Sequence, residues 1–191
     1  MSDKHSGAIR RITLTGILLA LLIGGQVLLG LISAPLSQYV VGSWVNLIIG
    51  ITALTIGWPY ALAVSLISPF IAFMLAIAPP FIEFTPFIAL GNGLFALTMH
   101  FIHKVKLPNR FRIAWGLMAV TIAAGLKTAL LYTTIVLLIM PTMNLLPAQS
   151  AAFTAVFSVN QLLTALIGGA LAILSYVPLK HALDYRKGVQ R

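Results

Sequence analysis

Six long apolar runs, separated by short proline-containing segments, constrain this chain more than any other feature. They lie at about residues 12–33, 43–57, 59–78, 84–102, 113–140 and 150–178. A helix needs about 20 apolar residues to cross the roughly 30 Å of bilayer hydrocarbon, and 60% of the 191 residues are hydrophobic. The sequence therefore predicts an all-α integral membrane protein, in which residues 1–191 form one transmembrane domain, a compact bundle of six helices.

The Lys and Arg residues predict how the bundle is oriented. Eleven of the twelve precede the first run, separate the fourth from the fifth, or follow the sixth: Lys4, Arg10, Arg11, Lys104, Lys106, Arg110, Arg112, Lys180, Arg186, Lys187 and Arg191. Positively charged loops stay in the cytoplasm. We expect a multi-pass protein of the cell membrane with both termini cytoplasmic and residues 34–42, 79–83 and 141–149 outside. Its net charge of +9 then meets anionic lipid headgroups, and we expect no nucleic-acid partner.

Lys127 is the twelfth basic residue and lies in the middle of the fifth apolar run. An ammonium at that depth costs several kcal/mol unless it is paired or faces a wet cavity, so it marks a functional site by default. The alternatives are a structural ion pair with Glu83, at the outer mouth, or a side chain that snorkels to the interface. We favour the functional interpretation.

Uncharged polar side chains form a layer in the same part of the bundle. By helix rise they lie roughly 5 to 17 Å from the outer helix ends, and they belong to five runs: Gln26, Asn46, Asn92, Tyr132, Asn160 and Gln161. Each alone could be an interhelical hydrogen bond, but together they predict an outward-facing cavity. We expect it to hold an anionic or strongly polar small molecule through Lys127 and neighbouring amides. Trp44 either stacks on this ligand or is an interfacial belt residue.

The sequence carries no recognisable catalytic or metal-binding pattern. Cysteine is absent and only three residues are acidic, which is too few for most hydrolytic or phosphoryl-transfer sites. Two neighbouring histidines, His100 and His103, do not complete a metal site. We expect no enzymatic activity, no metal and no cofactor. The lack of buried carboxylates also disfavours a self-sufficient proton- or sodium-coupled carrier.

Small residues recur every four positions in the first run, at Gly16, Ala20 and Gly24. Such a flat face lets another helix approach closely, either from a partner protein or from within the bundle. In the sixth run Gly168 and Gly169 show the same tendency, and there we expect internal packing.

Several stretches together resemble a known family, the substrate-binding S components of energy-coupling factor transporters. They are the small-residue face of the first run, residues 86–92 (PFIALGN), Leu126-Lys127 with Tyr132, and residues 161–169 (QLLTALIGG). The resemblance covers essentially the whole chain. It implies a subunit that binds a vitamin or related micronutrient in an outward cavity closed by the first, third and fifth loops. Through the first helix, the subunit would dock on a transmembrane T component coupled to two cytoplasmic ATPase subunits.

The substrate and two rival functions stay open at this level. The buried lysine favours a carboxylate-bearing vitamin, with pantothenate as the first guess; cobalamin, folate, riboflavin, or a pyrimidine or pyridoxine precursor are alternatives. The rival functions are a small independent secondary carrier that acts as a homodimer, and a membrane scaffold that binds only proteins.

Overall fold

The computed structural model describes residues 2–32, 36–105 and 111–189, and in these ranges every regular element is a helix. Four helices are simple: α1 (Ser2–Gly30), α2 (Leu36–Thr55), α3 (Trp58–Met74) and α4 (Thr85–His103). A short 3-10 turn, Ile82–Phe84, leads into α4. The predicted all-α bundle of six helices is confirmed for the described residues.

The last two helices are composite. Helix α5 starts as Arg112–Leu131 and continues as a π-helical stretch, Tyr132–Ile139, and a 3-10 turn, Met140–Thr142. Helix α6 starts as Pro147–Ala155, passes through a π-helical turn, Val156–Asn160, and continues as Gln161–Val189. We use α5 and α6 for these whole segments.

Five of the six helices are long and apolar enough to cross a membrane, as expected of a multi-pass membrane protein. Helix α3 is the shorter one, with 17 residues, and it ends at Met74 rather than at 78 as predicted. Ala76 turns the chain there with a positive φ of 56°. Two consecutive prolines, Pro79 and Pro80, follow. The residue before a proline disfavours the helical conformation, so the helix does not resume there.

Three other helices extend well beyond one predicted end, because polar residues continue the helix there. Helix α1 begins at Ser2 rather than 12, α2 begins at Leu36 rather than 43, and α6 runs to Val189 rather than 178. Hydropathy detects the segment that could lie in hydrocarbon, whereas helical hydrogen bonding continues through polar turns.

Helices α2 and α6 form the most extensive contact of the bundle, and glycines make it possible. A Cβ on Gly168 would lie 2.7 Å from the Cβ of Asn46, and one on Gly50 would lie 2.7 Å from the Cβ of Ala172. A Cβ on Gly169 would lie 2.7 Å from Cγ1 of Val120 on α5. The predicted internal packing of the small residues in the sixth run is therefore confirmed.

Two apolar clusters fill the interior. The larger one has residues from all six helices and includes Ile49, Phe95 and Val120. The smaller one lies near the loops that contain no Lys or Arg, where Phe84 packs edge-on against Phe153 and Phe157 with ring centroids 5.4 Å apart. Between these clusters the bundle opens into a cavity.

Candidate ligand-binding cavity

A cavity of about 650 Å³ lies in the half of the bundle that is remote from the Lys and Arg clusters. Its wall comes from the end of α1, the start of α2, the end of α3, the loop residues 76–80, the start of α4, Lys127 of α5 and the first half of α6. This volume falls within the roughly 300 to 1,000 Å³ of small-molecule sites. The fifth loop, 143–146, does not contribute to the wall, and the first residue of α6 that does is Phe153.

Lys127 lies at the cavity with its side chain 1% exposed. Its Nζ donates a hydrogen bond of 2.7 Å to Oδ1 of Asn46. The same atom lies 5.7 Å from the centroid of the Phe95 ring, within the range where a cation is attracted to an aromatic face. A lysine ammonium at a helix centre in a membrane costs about 3 kcal/mol on insertion scales, and neither of these neutral contacts supplies an opposite charge.

The amide of Asn46 is held in a fixed orientation by α2. Its Nδ2 donates to the carbonyl oxygen of Gly42, one turn earlier, at 2.8 Å, which leaves Oδ1 facing Lys127. Asn46 is 1% exposed, and Gly168 of α6 packs against its Cβ. The lysine is thus positioned by a side chain that is itself fixed by the α2–α6 contact.

Three buried polar atoms of the cavity wall lack a hydrogen-bond partner among the described residues. They are Oε1 of Gln26, Oδ1 of Asn92 and Oγ of Ser68. Their side chains are 9%, 2% and 2% exposed, respectively. Buried polar atoms in native proteins are almost always paired, so these three residues of the wall each lack a partner that a bound molecule or a water can supply.

The π-helical turn of α6 brings further polar groups to the cavity. Asn160 accepts a hydrogen bond of 2.8 Å from the Tyr39 hydroxyl through Oδ1 and donates one of 3.4 Å to Gln38. Gln161 accepts one of 3.3 Å from the Thr164 hydroxyl. π-helical turns are frequent at functional sites, and this one joins the start of α2 to α6 beside the cavity.

Six of the predicted site residues line this one cavity, and three do not. The six are Gln26, Asn46, Asn92, Lys127, Asn160 and Gln161. Tyr132 is 37% exposed in the π-helical stretch of α5 and lies outside the wall. Glu83 is exposed in the 3-10 turn. Trp44 lies on another surface, where its Nε1 donates to the Leu21 carbonyl at 3.2 Å.

The structure shows neither of the two alternative roles of Lys127, an ion pair with Glu83 and a snorkelling side chain. Glu83 forms no ion pair with Lys127 in the described part of the chain, because the carboxylate is exposed on its loop while Nζ contacts Asn46. Snorkelling is also absent, since the side chain is almost fully buried.

Sequence reasoning missed Ser68, Gln38 and Thr164, which also line the cavity. Gln38 precedes the predicted start of the second helix, where it was assigned to a loop. Ser68 lies in an apolar run beside Pro69 inside α3, and no sequence pattern distinguishes it from a serine that bonds within its own helix. Thr164 lies one turn after Asn160 and so shares its helix face.

The small-residue face of α1 points out of the bundle. A Cβ on Gly16 or Gly24 would meet no atom within 4 Å, and Ala20 is exposed. Ala20 and Gly24 line an apolar groove of about 960 Å³ between α1, α2 and α6, with Trp44 at its side. Packing of this face inside the bundle is therefore not observed in the described chain.

Comparison of the chain with models of protein families, with curated proteins and with solved structures found no match. The resemblance to S components therefore stays a prediction that depends on the residues quoted above. Among the side chains that the structure describes, no group of three or more His, Cys, Asp or Glu could hold a metal ion.

Proposed function

We propose that this chain is the substrate-capture subunit of an energy-coupling factor type importer, in the cell membrane and with both termini in the cytoplasm. It binds a vitamin or related micronutrient in the cavity around Lys127, with pantothenate as the first candidate. It has no enzymatic activity of its own. ATP is hydrolysed by two partner subunits, which act through a transmembrane T component.

The observation that carries this proposal is the buried lysine at a cavity with no carboxylate in its described wall. A structural lysine would be matched by an acidic residue, because a buried charge without a partner is costly. Lys127 has a neutral amide instead. An anionic ligand supplies the missing charge, so binding of that ligand stabilises the folded protein.

Two further observations support the same function. The cavity lies at the end of the bundle that lacks Lys and Arg, which the distribution of positive charge assigns to the outside. The flat, exposed face of α1 offers a partner helix a close approach. A capture subunit requires both an outward site and a docking surface within the membrane.

The proposal is tested by measuring vitamin binding to the purified protein and to two matched variants. Lys127→Met removes the charge at the cavity, whereas Lys104→Met removes an exposed charge at the end of α4. We expect Lys127→Met to lower affinity by about tenfold or more, equivalent to about 1.4 kcal/mol, and Lys104→Met to leave it unchanged. Equal affinity of both variants would remove Lys127 from the site.

Reconstitution separates this function from its rivals. The chain alone in liposomes should bind the vitamin without accumulating it. Uptake by the chain alone would identify an independent carrier, and a protein that binds no small molecule would be a scaffold.

A further inference from the structure

The hydrogen-bonding groups of the cavity specify more of the ligand than its charge. A lysine ammonium has three N–H donors and no acceptor. One donor goes to Asn46, and the other two have no hydrogen-bond partner among the described residues. An anionic oxygen pair is the acceptor that matches two such donors best.

Gln26 and Asn92 contribute hydrogen-bond acceptors, in contrast to the donors of Lys127. Each presents a carbonyl oxygen that accepts no hydrogen bond from the described protein, and each side chain is at least nine-tenths buried. A carbonyl oxygen cannot donate, so a ligand made only of acceptors would leave both atoms unpaired. A ligand hydroxyl or N–H group supplies the donor that each of these two atoms lacks.

No acidic side chain lies in the described wall to satisfy Lys127 or to attract a cationic ligand. The rest of the wall is mainly apolar, with Val45, Ile88, Val156 and Phe157 among its residues. The cavity thus combines one positive group and two buried amide acceptors with a wall that is otherwise mainly apolar, apart from the Ser68 hydroxyl and the polar residues at the start of α2 and in α6.

We propose that the ligand is an organic anion that also carries at least two hydrogen-bond donors, hydroxyl or N–H, separated from the anionic group by an apolar portion. The anionic group binds Lys127, and the donors bind Oε1 of Gln26 and Oδ1 of Asn92. This inference rests on the proposed function and narrows it. It excludes cationic and neutral vitamins, and it also excludes anions that carry no donor.

Thermal-shift and calorimetric titration of the full-length protein with water-soluble vitamins tests the inference. Pantothenate and biotin carry a carboxylate with hydroxyl or N–H donors, nicotinate and lipoate carry a carboxylate without such donors, and riboflavin and thiamine are neutral and cationic. We expect binding from the first pair alone. The alcohol that replaces the carboxylate of the bound vitamin, panthenol or biotinol, should bind about tenfold more weakly or worse.

Variants of the two acceptors separate recognition from folding. Asn92→Leu and Gln26→Met keep the approximate shape and remove the acceptor, and Asn144→Leu is the control on an exposed loop residue. We expect each acceptor variant to lose about fivefold or more in affinity for the bound vitamin, which is about the loss of one hydrogen bond. Neither should change the affinity for an analogue of that vitamin without its donors. A general folding defect would weaken both ligands equally.

Four results would overturn the inference. Tight binding of riboflavin or thiamine, without binding of any anion, would overturn the inference but leave the substrate-capture function intact. Nicotinate or lipoate binding as tightly as the donor-bearing anions, or unchanged affinity in both acceptor variants, would contradict the role of Gln26 and Asn92. Failure of every vitamin to bind would overturn the inference and the proposed function together.

Discussion

The contact between α2 and α6 makes Gly168→Ala a severe substitution for its size. An added Cβ would lie 2.7 Å from the Cβ of Asn46 and 2.8 Å from the backbone nitrogen of Leu47, and it would also overlap the carbonyl oxygen of Ser43. Two of these atoms are backbone, so no side-chain rotation relieves the overlap and the helices must separate. Overpacking of this kind costs about 1 to 3 kcal/mol. Alanine in a helix regains about 0.5 to 1 kcal/mol over glycine, which leaves a net loss of up to about 2.5 kcal/mol.

The assay is thermal unfolding of the purified protein in detergent, with Gly125→Ala as the matched control. Gly125 is also helical, two residues from Lys127, and a Cβ there would meet nothing within 4 Å. We expect the control to unfold at the wild-type temperature or above it and Gly168→Ala to unfold below it. Vitamin affinity should fall as well in Gly168→Ala, because the shift displaces Asn46. The packing account is wrong if Gly168→Ala is as stable as Gly125→Ala.

Two further predictions concern the positioning of Lys127 and the outer face of α1. Asn46→Leu leaves Nζ of Lys127 without its hydrogen-bond partner and should lower the stability of the ligand-free protein by about 1 to 3 kcal/mol; unchanged thermal unfolding would argue against the contact. In the same assay Asn46→Asp should be more stable than Asn46→Leu, because its carboxylate pairs with the ammonium. Ala20→Leu adds bulk to an exposed face and should leave vitamin affinity unchanged while weakening co-purification with a T component; intact co-purification would move the docking surface elsewhere.

The helices could be predicted from the sequence because each apolar run is long enough to span a membrane and must satisfy its own hydrogen bonds. Helix ends were less predictable. Ser37 and Gln38 line the cavity from the first turn of α2, so their polarity made a helical turn read as a loop. Helix α3 was overextended because the apolar residues after Met74 belong to a turn with a positive φ at Ala76.

The sequence predicted how deep the site residues lie in the bundle, but not which of them face the cavity. Counting helix rise gives the height of a residue in the bundle but not which side of the helix it occupies. Asn92 and Tyr132 were assigned to one layer, yet Asn92 is 2% exposed at the cavity whereas Tyr132 is 37% exposed outside it. The direct contact between Lys127 and Asn46 joins residues 81 positions apart, which no local pattern encodes.

Mass spectrometry of small molecules released from the gently purified protein tests whether the cavity around Lys127 binds a vitamin. We expect a vitamin with a carboxylate in wild type and in Lys104→Met, and its loss in Lys127→Met. Recovery of the same molecule from Lys127→Met at the wild-type level would show that Lys127 does not hold the ligand. A wild-type protein that releases no vitamin and is stabilised by none in a thermal-shift screen would contradict vitamin binding in this cavity.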